Sequence, residues 1–191
     1  MIAIYLFENI IQYKEKEEIK EFIMPKKAME YGKIKNIPIF EEYLGKLIKQ
    51  EKWVTLFQSK PIAILLPLFY EEVDREILTV ILNNLGIKNI KYKKELSLYD
   101  KKNNQLILNV HINYITVYYQ HKGIAIKRFY PLNIYVNIEE AIKNIQKNYK
   151  NTTIYFLGSN PKLTILIKKL NSHRCFYYQN HRTILLEKYI P

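Results

Sequence analysis

With 191 residues, 48% hydrophobic and 14% aromatic, the chain has ample apolar side chain for a packed core and room for one large or two small domains, which excludes global disorder. Its formal charge of +12 invites a nucleic-acid reading, yet among the 30 basic residues Arg stands only at positions 75, 128, 174 and 182. Arg is the side chain suited to bidentate recognition of phosphate and guanine, so a chain whose charge is carried by Lys reads as a solvated basic surface, and nucleic-acid binding is the lesser expectation.

The opening residues MIAIYLFENIIQYK lack a basic leader region and a small-residue cleavage site, and read as a strand. The β-rich runs 2–7, 10–13 and 19–23, separated by Glu8-Asn9 and by the charged stretch 14–18, predict a meander of three antiparallel strands. Phe40, Tyr43, Leu44, Leu47 and Ile48 recur at helical spacing, with Trp53 near the helix end. Residues 62–66, between Pro61 and Pro67, have the unbroken apolar character of a buried parallel strand. A second helix is predicted to bury Val73, Ile77, Val80, Ile81 and Leu85, with Gly86 as its C-terminal cap, before a strand over 87–92.

The same order then returns. Strands are predicted over 105–110, 114–119 and 124–130, with Lys122-Gly123 as a hairpin turn. Ile138, Ala141, Ile142, Ile145 and Tyr149 mark a helix, 153–157 a strand, Leu163, Ile167 and Leu170 a helix, and 175–178 a closing strand. The chain therefore reads as an α/β protein of two tandem βββαβα units of ribonuclease-H-like type, over 1–93 and 105–191, joined by a linker over 94–104 that is rich in Lys, Asp and Asn.

Tandem βββαβα units are the hallmark of the superfamily of actin, sugar kinases and heat-shock chaperone ATPases, and particular residues resemble its bacterial actins. Gly32-Lys33-Ile34 with Ile39-Phe40-Glu41-Glu42, then Lys60-Pro61-Ile62-Ala63-Ile64-Leu65-Leu66-Pro67 and Glu71-Glu72-Val73-Asp74-Arg75, resemble stretches of the MreB and FtsA branch. The resemblance implies an ATPase whose nucleotide is held by three loops. In the first, Asp organises Mg²⁺ and Gly lets a phosphate approach; here Tyr5 and Phe7 stand at those places. The second, Asp-x-Gly-Gly-Gly-Thr in the family, corresponds to Asn109-Val110-His111-Ile112-Asn113-Tyr114, with every glycine replaced. The third, which contacts adenosine, retains only Gly158 of its glycines. The stretches 25–38 and 131–137 are too short for the outer subdomains of the actin-like ATPases, so an actin-type core without them is expected.

Other chemistry is thin. No Gly-x-x-x-x-Gly-Lys, Gly-x-Ser-x-Gly or His-Glu-x-x-His pattern occurs, and a nuclease of ribonuclease-H type would need clustered carboxylates where Tyr5 and Asn109 stand. His111 reads as a filler of the vacated cleft in preference to a catalytic base, and His173 and His181 around Cys175 as structural or surface groups in preference to a metal set. The lone Cys175 excludes an intramolecular disulfide and fits a reducing cytoplasm, and no run of about 18 apolar residues offers a transmembrane helix. Glu71, Glu72, Asp74 and Glu76 fit the acidic first turn of a helix. Tyr114, Tyr118, Tyr119 and Tyr130 near Lys122, Lys127 and Arg128 read as a half-buried sheet, with an interaction surface as the other reading.

The expectation is a non-catalytic actin-like scaffold of the cytoplasm, associated with cell-shape, division or envelope machinery. It would have no catalytic residue, cofactor or metal, and vestigial nucleotide-loop positions at Tyr5, Phe7, Asn109, His111, Asn113 and Gly158. Its partner would be another protein, such as an actin-like filament or a membrane-associated complex. The other readings are a pseudo-enzyme subunit supporting an active paralogue, as in the tRNA threonylcarbamoyl-adenosine machinery, and a basic nucleic-acid-binding module.

Overall fold

In the computed structural model the chain divides into two compact units, one holding the first seven strands and the other the last five. The residues described are 1–67, 69–95, 105–110, 114–121, 124–131, 147, 153–157 and 175–178. Of the sequence expectations, the turn at Lys122-Gly123 and the helices placed at Ile138–Tyr149 and Leu163–Leu170 lie outside them, apart from the helical residue Lys147.

The first unit is built on a five-stranded sheet. Strands β1 (Ile2–Phe7), β2 (Ile10–Glu15) and β3 (Glu18–Ile23) form the antiparallel meander. A small hairpin, β4 (Met29–Glu30) with β5 (Lys33–Ile34), precedes helix α1 (Ile37–Gln50). Strand β6 (Ile62–Leu66), helix α2 (Glu72–Asn84) and strand β7 (Ile90–Lys94) complete it. The sheet order is β3-β2-β1-β6-β7, with β6 parallel to both β1 and β7. Parallel neighbours require crossovers, and α1 and α2 are those crossovers.

The second unit repeats the arrangement. Strands β8 (Gln105–Val110), β9 (Tyr114–His121), β10 (Ile124–Pro131), β11 (Thr153–Leu157) and β12 (Cys175–Tyr178) take the order β10-β9-β8-β11-β12. The first three are again antiparallel, and β11 is again parallel to both its neighbours. Two sheets with one strand order and one pattern of directions are the ribonuclease-H-like tandem that the sequence predicts.

Alternation along β1 divides the first unit's core. Ile2, Ile4 and Leu6 face the helices, where they pack with Ile62, Ile64 and Leu66 of β6, with Phe40, Leu44, Leu47 and Ile48 of α1, and with Leu78, Ile81 and Leu82 of α2. Ala3, Tyr5, Phe7 and Leu65 form a second buried cluster on the opposite face. At about 1.5–3 kcal/mol for each large apolar side chain removed from water, the helix-side cluster is the dominant source of stability in this unit.

The capping chemistry fixes the helix ends. Asn36 accepts the Ile39 amide at 3.1 Å and so satisfies one orphan donor of α1. At the start of α2, Asp74 accepts the Glu71 amide at 2.9 Å, and the expected acidic first turn is present as Glu72 and Asp74. Gly86, at φ +86°, ends α2 in the left-handed conformation that the sequence predicts.

Two expectations are corrected here. Val73 and Val80 are 55% and 58% exposed, so the buried stripe of α2 is Leu78, Ile81 and Leu82, with Ile77 and Leu85 at its margin. The last strand of the first unit starts at Ile90 instead of 87, because the Ile87 amide bonds back to the Leu82 carbonyl at 2.9 Å to close the helix and its side chain fills the core. The same strand runs through Lys94, a residue assigned to the linker on composition.

Candidate functional site

In open α/β sheets, ligands bind outside the carboxyl ends of the parallel strands. In the first unit those ends are Leu6-Phe7 of β1 and Leu65-Leu66 of β6, and three connections converge on them.

The first is the β1–β2 turn. Phe7 pairs directly with Ile10, leaving Glu8-Asn9 as a two-residue loop in which Glu8 takes φ +49°. Asn9 locks this loop to the end of β3: its side-chain amide donates to the Met24 carbonyl at 2.7 Å, and the Met24 amide donates to the Asn9 carbonyl at 2.7 Å.

The second is the β4–β5 turn. The Gly32 amide donates to the Glu8 carbonyl at 2.6 Å. Gly32 has φ +77°, and a Cβ built there would lie 3.1 Å from the Leu6 carbonyl oxygen and 3.3 Å from the Phe7 Cα, so this turn presses directly onto the end of β1.

The third is the β6–α2 connection. The Tyr70 hydroxyl donates to the Gly32 carbonyl at 2.8 Å in a buried bond, and the Phe69 ring reaches within 3.4 Å of the same Cβ position. Burial pushes the Tyr70 hydroxyl well above the ordinary tyrosine pKa, with the nearby Asp74 carboxylate adding to the effect. Lys33 lies 5.8 Å from the Phe69 ring centroid and 3.3 Å from Asp74, tying the second and third connections together at the rim.

Tyr5 and Phe7 stand where the resemblance would put the Mg²⁺-organising Asp and the phosphate-approaching Gly. Both side chains are fully buried on the second face of the sheet, with ring centroids 5.6 Å apart. The Gly32 turn lies directly against the Phe7 backbone. Glu8, in the adjoining turn, is buried as well. Among the described residues no group of three or more His, Cys, Asp or Glu side chains is placed to hold a metal ion.

In the second unit, Asn109 is near the end of β8, in register with Thr116 of β9 and Leu157 of β11. By register it is the counterpart of Leu6, one residue before the end of the strand. His111, Ile112, Asn113 and Gly158 lie outside the described residues, as do His173 and His181. The tyrosine cluster of the second meander is partly resolved into core: Tyr114 and Tyr118 are buried, and desolvation raises the Tyr118 hydroxyl above its ordinary pKa. These two side chains therefore fill the sheet's interior instead of presenting a stacking surface.

Gly32 carries a signal in the sequence only as part of a family-like stretch, and Tyr70 carries none. Their pairing across 38 residues emerges from the fold alone.

No protein-family model matches the chain, and no curated protein matches it in sequence. Solved structures do. The ethanolamine utilization protein EutJ from Carboxydothermus hydrogenoformans superposes with TM-score 0.60 at 11% identity, covering 97% of this chain and 86% of that one. A Bacteroides thetaiotaomicron protein with an actin-like ATPase fold and unknown function gives 0.55 at 10% identity, covering 98% and 95%. AlfA from a B. subtilis plasmid, solved as a filament, gives 0.58 at 11% identity, covering 93% and 91%. At such identities the likeness concerns fold, and the fold is that of the actin-like ATPases.

Proposed function

We propose that this chain, which has the actin-like ATPase fold, is a non-catalytic member of that architecture and works as a scaffold that binds another protein. The observation that carries the reading is the closed end of the first unit's parallel strands. Tyr5 and Phe7 are buried where a metal-organising carboxylate and a glycine would be needed, and Gly32 and Tyr70 lie across the strand end. A phosphate there would have to displace a buried hydrogen-bonded turn.

With phosphate chemistry disfavoured, the architecture has use as a surface. AlfA, a neighbour solved as a filament, matches over 91% of its chain, which supports an actin-like filament as the kind of partner. The resemblance of Gly32-Lys33-Ile34 and residues 60–67 to bacterial actins supports a place in cell-shape, division or envelope machinery, and the single Cys175 supports a reducing cytoplasm.

The test is thermal unfolding with ATP and Mg²⁺. A ligand of the native state raises the melting temperature by mass action, so an unchanged value at millimolar nucleotide is the expected result. A rise of several degrees would overturn the reading.

A further inference from the structure

The first unit's sheet ends in two edge strands, β3 and β7, and they are built differently. β7 carries Lys91, Lys93 and Lys94, the kind of cationic run that keeps a sheet edge from pairing. β3 has six residues in unbroken antiparallel register with β2, without a proline or a bulge. Its one cation, Lys20, is turned back onto Glu51 at 3.3 Å and Glu18 at 3.4 Å.

The Met24 amide bonds to the Asn9 carbonyl just past this register. By alternation, Lys20 and Phe22 direct their backbone groups at β2, while Ile19, Glu21 and Ile23 direct theirs outward. Among the described residues these outward amides and carbonyls meet no partner. Phe22 packs on the helix-side core and Ile19 on the opposite cluster, while Ile23 is 70% exposed. An added strand would lengthen both apolar faces and cover Ile23.

Charge decides what that strand can be. Gln12 donates its side-chain amide to Glu21 at 3.0 Å, and Gln12 is itself buried with its Oε1 unpartnered. This pair can use a further donor and has no use for another acceptor. Along the strand and its turn, Glu17, Glu18 and Glu21 outnumber Lys16 and Lys20, an acidic border in a chain of formal charge +12. Two copies of β3 are a poor match for each other. Antiparallel pairing that opposes the outward amides, in the registers of greatest overlap, centres on Glu21 or on Lys20 and sets like charge against like charge.

We propose that β3 takes up an extended segment of another protein as an added strand, with Lys or Arg opposite Glu21 and apolar residues two positions to either side of it. The backbone groups of Ile19, Glu21 and Ile23 supply the ladder, and the Ile19 and Ile23 side chains meet the apolar positions. This deepens the scaffold reading, on which it rests, by giving the binding surface and the chemistry of the partner.

The experiment is fluorescence anisotropy of the full chain with a labelled, end-capped peptide Thr-Val-Thr-Lys-Thr-Val-Thr, against the same peptide with Glu in place of Lys. The Lys peptide is expected to bind, and the Glu peptide to bind at least about tenfold more weakly through loss of a charged hydrogen bond. Glu21→Lys should exchange the two preferences. Backbone pairing has its own signature: methylating one set of alternate peptide amides should abolish binding, and methylating the other set should spare it. In the complex, amide exchange should slow at Ile19, Glu21 and Ile23 and stay unchanged at Lys20 and Phe22. No binding of the Lys peptide, an unaltered preference in Glu21→Lys, or equal sensitivity to both methylation sets would overturn the proposal. So would dimerisation of the free chain that protects the same amides, since the occupant would then be a second copy. A melting temperature raised by ATP would sink the scaffold reading whatever the peptides do, so the two failures are told apart.

Discussion

The Tyr70 hydroxyl donates a buried 2.8 Å hydrogen bond to the Gly32 carbonyl, joining two loops 38 residues apart over the end of β1. Tyr70→Phe should leave that carbonyl without its donor and lower stability by about 1–2 kcal/mol, read as a fall in the urea midpoint with an unchanged slope. A midpoint equal to that of the wild type would mean that the loops hold without it.

The same hydroxyl sets an alkaline limit. Its folded-state pKa is raised by burial, and it titrates near 10 when unfolded, so its contribution is fully present below about pH 10 and is lost as pH climbs beyond that value. Denaturant midpoints measured from pH 9 to 11 should decline for the wild type, and less steeply for Tyr70→Phe.

Gly32→Ala should be costly twice over. Its φ of +77° disfavours any side chain, and the new methyl would lie 3.1 Å from the Leu6 carbonyl oxygen, which is backbone and cannot swing aside. A loss of about 2 kcal/mol or more is expected in equilibrium unfolding.

Placing in β1 the Asp and Gly that the resemblance would put there should not create nucleotide binding. Tyr5→Asp puts a carboxylate into a fully buried apolar cluster, and Phe7→Gly removes a ring from it. Each should cost about 3 kcal/mol or more, with no ATP-dependent rise in melting temperature. A variant that kept its stability and gained nucleotide binding would reverse the proposed function.

The faces of α2 can be separated by charge. Val80→Lys should shift stability by less than about 0.5 kcal/mol because the side chain is already in water, whereas Ile81→Lys should unfold the unit or nearly so. Thermal melts of the two variants decide it.

Much of the architecture was legible because the strands are bounded by strong punctuation. β1 ends at a two-residue turn, β6 lies between Pro61 and Pro67, and β8, β11 and β12 begin and end where the apolar runs do. The face of α2 was not, since Val73 and Val80 share a helical stripe with Ile77 and periodicity cannot tell a buried valine from an exposed one. The start of β7 was displaced because Ile87 looks like a strand residue but is claimed by the helix cap. At the site, the residue types of Tyr5 and Phe7 could be read directly. The closure by Gly32 and Tyr70 could not, because it depends on two loops meeting across a long span of sequence. Leu56 and Phe57, two bulky apolar residues between Thr55 and Gln58, were visible in the chain but indistinguishable from core until the fold placed them in water.

The Tyr5–Phe7 ring pair makes the two positions interdependent. Each ring supports the other at 5.6 Å, so a single change to Asp or Gly leaves its neighbour packed against a charge or a void. Substitutions at the two positions are therefore coupled, and the double change departs from the sum of the single ones.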